Sequence, residues 1–316
     1  MFITKREFEF KSSNRKNDIY AFSYTPETDA LRGAVQIIHG FAEHSHRYDE
    51  FAQYLCENGF AVYACDLLGH GRSVAGEDDI GYFAGSDGWK LVLADIQNFT
   101  RIIKNELPSV PLFLYGYGMG SLFARRIATL TSRDYAGIVL SGTYGKMSAL
   151  SVNTAIIKRA VKKHGPRGRS NYLDNLFEIP MNHTFKQGES RYQWLTSDED
   201  ELKSYLEDPM CGFKLSCSLY LDLYTLIHKV TRKAWFRRLP KTMPVLLISG
   251  SDDPALGTEG IVKLYNRLRK TNHNAVTMKI CEHARHNLLA EKCKYDIMYE
   301  ILDWLNIYSY DVSEQG

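Results

Sequence analysis

Residues Leu112 to Ser121 read LFLYGYGMGS, an apolar run that gives way to glycines at 116, 118 and 120. The G-x-G-x-G spacing matches a nucleophile elbow, G-x-S-x-G, at every position but the middle one, where a serine would be lifted on a sharp strand-to-helix turn. That middle residue is Gly118. An elbow needs positive φ there, which costs an ordinary residue about 1 to 3 kcal/mol and glycine little. Gly116 and Gly120 leave room where strand and helix press together, and Met119 is placed to aim its backbone N–H at an oxyanion. The stretch therefore predicts the elbow's geometry without its attacking hydroxyl. Ser121 sits in the first turn of the helix and is no substitute.

Around this turn, strand-like and helix-like stretches alternate. Two alternating segments, near Glu7 to Lys11 and Asp18 to Tyr24, predict an antiparallel opening to a sheet. Continuous apolar runs of buried-strand type follow at Ala34–Ile38, Ala61–Ala64, Pro111–Tyr115, Gly137–Leu140 and Val245–Ile248, mostly separated by segments of helical period. The pattern predicts an α/β fold, a mostly parallel central sheet with helices on both faces, wound by right-handed crossovers. A last strand near Val276–Ile280 and a helix from about Asn287 to Leu305 close the chain.

Between Ser141-Gly142-Thr143 and Met243 the alternation stops. This divides the chain into a core, residues 1–145 and 240–316, and a helical insertion with its return helix, 146–239. An insertion after a strand of such a sheet lies over the strand carboxyl ends, where ligands bind, so it is expected to act as a lid. Ser197 reads as the cap of a helix Asp198–Leu206, with Asp200 three residues on. In IIKRAVKKHGPRGR (Ile156–Arg169), the cations Lys158, Arg159, Lys162, Lys163, Arg167 and Arg169 oppose an apolar row including Val152, Ala155, Ile156 and Ala160. The pattern fits a helix docking onto a lipid surface, which would make a peripheral membrane surface a partner, and equally the commoner case of a solvated lid face packed on the core.

With 316 residues, 44% hydrophobic and 24% charged, the chain is long enough for one large domain with an insertion or for two small domains. A net charge of +2, without a basic tract interleaved by aromatics, sets nucleic acid aside as a partner. The opening MFITKREFEF carries charges where a signal peptide would need an apolar core and no segment approaches the roughly 20 apolar residues of a membrane span, so the expected location is cytoplasmic. The cysteines (Cys56, Cys65, Cys211, Cys217, Cys281, Cys293) show neither C-x-x-C nor a histidine at ligand spacing, so free thiols are expected, with no metal and no cofactor.

Two further loops follow strands. His39-Gly40-Phe41-Ala42-Glu43-His44-Ser45-His46-Arg47-Tyr48 can supply a second oxyanion donor from the Phe41 N–H. Glu43 and Arg47, four apart, are expected to pair and hold the loop. His39 and His44 read as structural. In Asp66-Leu67-Leu68-Gly69-His70-Gly71-Arg72-Ser73, the glycines mark a tight turn and His70 and Ser73 read as loop-fixing groups.

HGFAEHSHRY, DLLGHGRS and GYGMGS, in this order and each after a strand, resemble the monoacylglycerol lipase and lysophospholipase branch of the α/β-hydrolases, close to the serine aminopeptidase-like group. The resemblance runs from about Ala34 to Leu305 and is loosest in the insertion, where Trp194-Leu195-Thr196 and Asp208–Phe213 carry it. It implies a carboxylic ester hydrolase with a lipid ester as substrate, and an order of nucleophile, acid, histidine. Gly118 falls at the nucleophile. Asp253, rather than Asp252, matches the acid, and in CEHARHNLL His286, rather than His283, matches the histidine. Such a carboxylate fixes the imidazole tautomer and the imidazole takes the nucleophile's proton. With Gly118 there, by natural loss or by introduced substitution, the chain as written is expected to be inactive or very slow. The alternative is a non-catalytic protein that holds an acyl ligand.

Overall fold

A computed structural model describes residues 2–28, 30–147, 149–185 and 190–313. Its centre is an eight-stranded sheet: β1 (Ile3–Lys11), β2 (Asp18–Pro26), β3 (Gly33–Ile38), β4 (Phe60–Cys65), β5 (Leu112–Tyr117), β6 (Gly137–Ser141), β7 (Val245–Gly250) and β8 (Val276–Cys281). The spatial order is β1-β2-β4-β3-β5-β6-β7-β8. β1 and β2 pair antiparallel with each other, and β2 pairs antiparallel with β4; all later pairs are parallel. The antiparallel opening and the mostly parallel sheet are thus as the patterning requires.

β3 to β7 are buried at every residue. That is why they read as unbroken apolar runs, since a parallel strand covered on both faces has no solvent side to encode. The period of two still sorts their side chains. In β5, Leu112 and Leu114 join one core, while Phe113, Tyr115 and Tyr117 join the other.

The helices are α1 (Asp49–Glu57), α2 (Gly88–Glu106), α3 (Met119–Ile127), α4 (Leu150–His164), α5 (Asn171–Asn182), α6 (Glu199–Glu207), α7 (Cys217–Thr231), α8 (Lys233–Arg238), α9 (Gly257–Arg269) and α10 (Lys294–Ser313). α1 and α10 cover one face through Phe51, Leu55, Ile301 and Trp304. α2, α3, α7 and α9 cover the other through Ile96, Leu122, Phe123, Leu223, Ile227 and Ile261. α4 to α8 lie between β6 and β7, in the interval where no strand was expected; Ser148 and residues 186–189 of the expected insertion fall outside the described residues. No helix among the described residues is long and apolar enough to cross a membrane.

Local expectations need correction. The closing helix starts at Lys294, not near Asn287, because residues 288–290 form a separate short turn and Glu291 is drawn away to accept from the Arg285 and Ser197 N–H groups. α6 is capped by Asp198, whose carboxylate accepts from Asp200 and Glu201 N–H, since the Ser197 hydroxyl is already given to Glu291. On α4 Ile157 is fully buried and Ile156 and Ala160 of the expected apolar row pack against the core, while Val152 and Ala155 face solvent. Arg167 and Arg169 leave the basic face: Arg167 bonds Asp79 and lies over the Tyr82 ring, and Arg169 donates to the Ile80 carbonyl.

Candidate active site

β5 runs straight into α3 through Gly118, whose φ is +52° and ψ −118°. This is the strained elbow conformation, reached by the residue best able to adopt it. The flanking glycines are fixed by close approach: a Cβ on Gly120 would lie 2.1 Å from the Ile38 carbonyl oxygen, and one on Gly116 2.7 Å from that of Gly120. At Gly118 the reverse holds. A Cβ there would meet His286 Nε2 at 3.5 Å and Gly40 Cα at 3.8 Å, ordinary contact distances. A hydroxyl carried on that Cβ would fall within hydrogen-bond reach of the imidazole. Ser121, by contrast, is buried with its Oγ bonded to the Gly118 carbonyl (2.6 Å) and to Thr143 Oγ1 (2.8 Å).

His286 and Asp253 come from loops after β8 and β7 and meet above the elbow. The His286 Nδ1–H donates to Asp253 Oδ1 at 2.9 Å, and both side chains are buried. That bond places the lone pair on Nε2, which faces Gly118. The Ala255 N–H also donates to Asp253 Oδ1, at 2.8 Å, and holds the carboxylate in place. The neighbours take other roles: Asp252 accepts from the Ser251 hydroxyl, and His283 is exposed with φ +61°.

The loop after β3 brings Phe41 to the same point. Its backbone N–H and that of Met119 meet no acceptor in the surrounding turns and loops, among the described residues. Glu43 stabilises this loop, but not through Arg47. Its Oε1 accepts from Gly40 N–H (2.6 Å) and Tyr48 O–H (2.7 Å), and burial raises its pKa. Arg47 turns outward to Ser204 and Glu201 of α6, because residues 45–48 form a tight 3₁₀ turn rather than a continuous α-helix.

His39 and His70 sit beneath the loops as neutral, buried rings. The Nδ1–H of His39 donates to the Gly40 carbonyl (2.6 Å) and its Nε2 accepts from Leu67 N–H (2.9 Å). His70 Nδ1–H donates to the Leu68 carbonyl at 3.1 Å. Burial pushes both pKa values down to about 3. Ser73 accepts from Tyr20 N–H and donates to the Asp66 carbonyl, tying the second loop to β2.

A sequence model of the family described as Serine aminopeptidase, S33, matches residues 29–293. The chain belongs to the serine aminopeptidase S33 family. This S33-family chain is 26% identical to the human protein "Monoglyceride lipase" over 294 residues, 90% of this chain and 85% of the relative. It is 24% identical over 311 residues to "Monoacylglycerol lipase" of Mycolicibacterium smegmatis, covering 96% of this chain and 97% of that one. Among solved structures, a thermostable carboxyl esterase from Bacillus coagulans in complex with glycerol matches with a TM-score of 0.89 at 27% identity, over 97% of this chain and 99% of that one. A soluble variant of monoglyceride lipase from Saccharomyces cerevisiae shares the fold, with a TM-score of 0.76 at 20% identity over 96% and 94% of the two chains. The S33-family chain is thus an α/β-hydrolase scaffold of the monoglyceride-lipase branch.

Several residues of the site escaped the sequence reading. The Trp194 ring lies 4.8 Å from that of His286 and packs with Phe41 and Phe177 into an aromatic roof, and Tyr117 and Tyr144 close the sides. They leave a void of about 10 Å³ beside Gly118 and His286, room for about one water. The segment carrying Trp194 is stitched to the histidine loop: His286 and Asn287 N–H donate to the Trp194 and Leu195 carbonyls, and Arg285 Nη1 donates to the Gln193 and Thr196 carbonyls. Trp194-Leu195-Thr196 was visible as a motif; only the fold shows that it covers the imidazole. Trp194 Nε1 and Tyr144 Oη are buried with no hydrogen-bond partner among the described residues, and both residues line the void. On the far side of Glu43, His44 Nε2–H donates to Asp208 at 2.8 Å, and Cys211 joins them within 4.8 Å, a grouping that sequence spacing gave no reason to expect. All the cysteines are free.

Proposed function

We propose that this chain is a carboxylic ester hydrolase scaffold of monoacylglycerol lipase or lysophospholipase type, whose helical insertion acts as a lid and whose hydrolysis is slow because Gly118 stands at the nucleophile. The observation that carries the reading is the placement of His286 Nε2, 3.5 Å from where a residue-118 Cβ would sit, with Asp253 on its other nitrogen. Losing the serine of such a triad costs about six orders of magnitude in turnover. About 10³ to 10⁴ over water survives from oxyanion stabilisation and binding.

In the residual route, Nε2 takes a proton from a water as its oxygen adds to the ester carbonyl. The Phe41 and Met119 N–H groups hold the resulting oxyanion. Collapse then breaks the C–O bond to the alcohol, which leaves with the proton returned by the imidazolium. Asp253 stabilises the charged ring throughout, and the water-sized void between Gly118 and His286 suits this step. Gly118→Ser should raise turnover of a p-nitrophenyl acyl ester by several orders of magnitude, and His286→Ala in the same background should abolish the gain. No gain from the serine ends this reading.

A second reading, an acyl-ligand-binding protein without catalysis, is favoured by the orphaned Trp194 Nε1 and Tyr144 Oη. Buried polar groups are normally bonded, and a ligand oxygen would satisfy these. Acyl-ester binding by calorimetry with no turnover above that of His286→Ala would select it. For the membrane surface, the support is the outward face of α4, where Lys158, Arg159, Lys162 and Lys163 are exposed beside Val152. Reversing Lys158, Lys162 and Lys163 to Glu should abolish sedimentation with anionic vesicles and leave soluble-ester binding unchanged.

A further inference from the structure

A second cavity, of about 380 Å³, lies between the β6–α4 loop, α8 and α9. Tyr144 borders both cavities. Four cations line the second one: Arg125, Arg267, Lys146 and Lys263, the last of them paired with Glu259. Arg125 is 1% exposed. Its Nη1 and Nη2 donate to the Tyr144 and Val230 carbonyls at 2.8 and 2.7 Å, its guanidinium lies 4.5 Å from the Trp235 ring centroid, and its Nε has no partner among the described residues. Arg267 lies over the Phe236 ring at 4.0 Å and donates to the Thr231 carbonyl. Among the described residues, no carboxylate pairs with Arg125, Arg267 or Lys146. Glu259, the one acidic side chain in the lining, is mostly exposed and already paired with Lys263 at 2.5 Å.

A fully buried arginine answered by two carbonyls, the Thr143 hydroxyl at 3.4 Å and an aromatic ring, with no carboxylate, is unusual, because an uncompensated charge out of water costs several kcal/mol. Burial, and then the like charge of Arg267, both disfavour the charged form of Arg125. A guanidinium does not relieve such a cost by losing its proton. What relieves it is an anion, and guanidinium forks match planar oxyanions. The remaining wall is apolar, from Phe236, Leu256 and Leu264.

We propose that this cavity is a binding site for an oxyanion, a carboxylate or phosphate held by Arg125, Arg267 and Lys146, with the Phe236–Leu256–Leu264 wall accommodating an aliphatic body attached to it. The site is separate from the Gly118 void and does not depend on the ester reading. Calorimetric titration of the intact protein with octanoate, inorganic phosphate and 1-octanol at constant ionic strength tests it. Saturable octanoate binding, weakened roughly tenfold or more by Arg267→Gln, is expected. Equal binding of phosphate identifies a free anion as the source, and octanoate binding alone identifies a tailed acid. Octanoate can also enter beneath the lid, so binding that survives Arg267→Gln unchanged overturns the proposal, as does failure of both anions to bind. If Arg267→Gln lowers the melting temperature without anion, the exposed Lys146→Gln replaces it and should weaken binding in the same direction. 1-Octanol binding should be the same in either variant and the parent.

Discussion

At Gly118 the same atom position decides both stability and chemistry. A side chain there has space but the wrong φ, whereas at Gly120 it has no space at all, 2.1 Å from the Ile38 carbonyl. Gly118→Ala should therefore cost about 1 to 3 kcal/mol as backbone strain, and Gly120→Ala about 3 kcal/mol as overpacking that forces β3 and α3 apart. Equilibrium urea unfolding measures both, and a Gly120→Ala midpoint no lower than that of Gly118→Ala would refute the close-approach argument. The spacing of these glycines was legible because Gly116 and Gly120 answer a close approach that leaves no room for a side chain, and Gly118 adopts the positive φ of the elbow at the least cost. Asp253 and His286 were legible through the resemblance, and the geometry joins them. The Glu43–Arg47 pair was misjudged since a spacing of four implies contact only on a continuous helix, and helix α1 begins at Asp49. Glu43 instead serves the backbone of its own loop, a role that charge spacing does not encode.

Strands buried on both faces write themselves into sequence as apolar runs, and each of those expected here lies within one residue or a few of its observed bounds. The helices of the insertion are harder to read. They are packed against aromatic side chains and against each other, so α4 turns Ile157 inward while Val152 stays out. The tie between the insertion and the histidine loop was invisible for a further reason: it is built from backbone carbonyls reached by Arg285 and by the His286 and Asn287 N–H groups, which carry no residue-type signal. The tie makes a prediction at this scale. Arg285→Ala removes the donor to the Gln193 and Thr196 carbonyls, so segment 193–197 should open more often by local unfolding. Amide hydrogen exchange at His286 and Asn287, whose acceptors lie on that segment, should accelerate while exchange in β5 and β6 stays at the parent rate. Uniform acceleration across the sheet would mean that Arg285 supports the whole fold instead.

Over the whole molecule, buried titratable groups set opposite limits on the pH range of stability. His39 and His70 have folded pKa values near 3, against an ordinary 6.5. The folded state therefore binds fewer protons than the unfolded chain, and the stability these rings contribute is present above about 6.5 and lost as pH falls toward 3. Asp222 acts on the other side. It lies on α7 against the N-terminus of α2, and burial, with the nearby Asp87 carboxylate adding to it, raises its pKa from 3.8 to about 7 against the opposing pull of the Trp89 and Gly88 N–H groups. Here the folded state holds a proton that the unfolded chain has released, so the site is unstrained below 3.8 and becomes a charge penalty as pH rises through 7. Asp222→Asn keeps an acceptor for the helix N-terminus and removes that penalty. Its melting temperature relative to the parent should improve between pH 4 and pH 8 by roughly 2 °C or more, read by scanning fluorimetry in matched buffers. A difference that does not change with pH would show that Asp222 is ionised in neither direction by the fold, and that its burial between α7 and α2 carries no electrostatic cost.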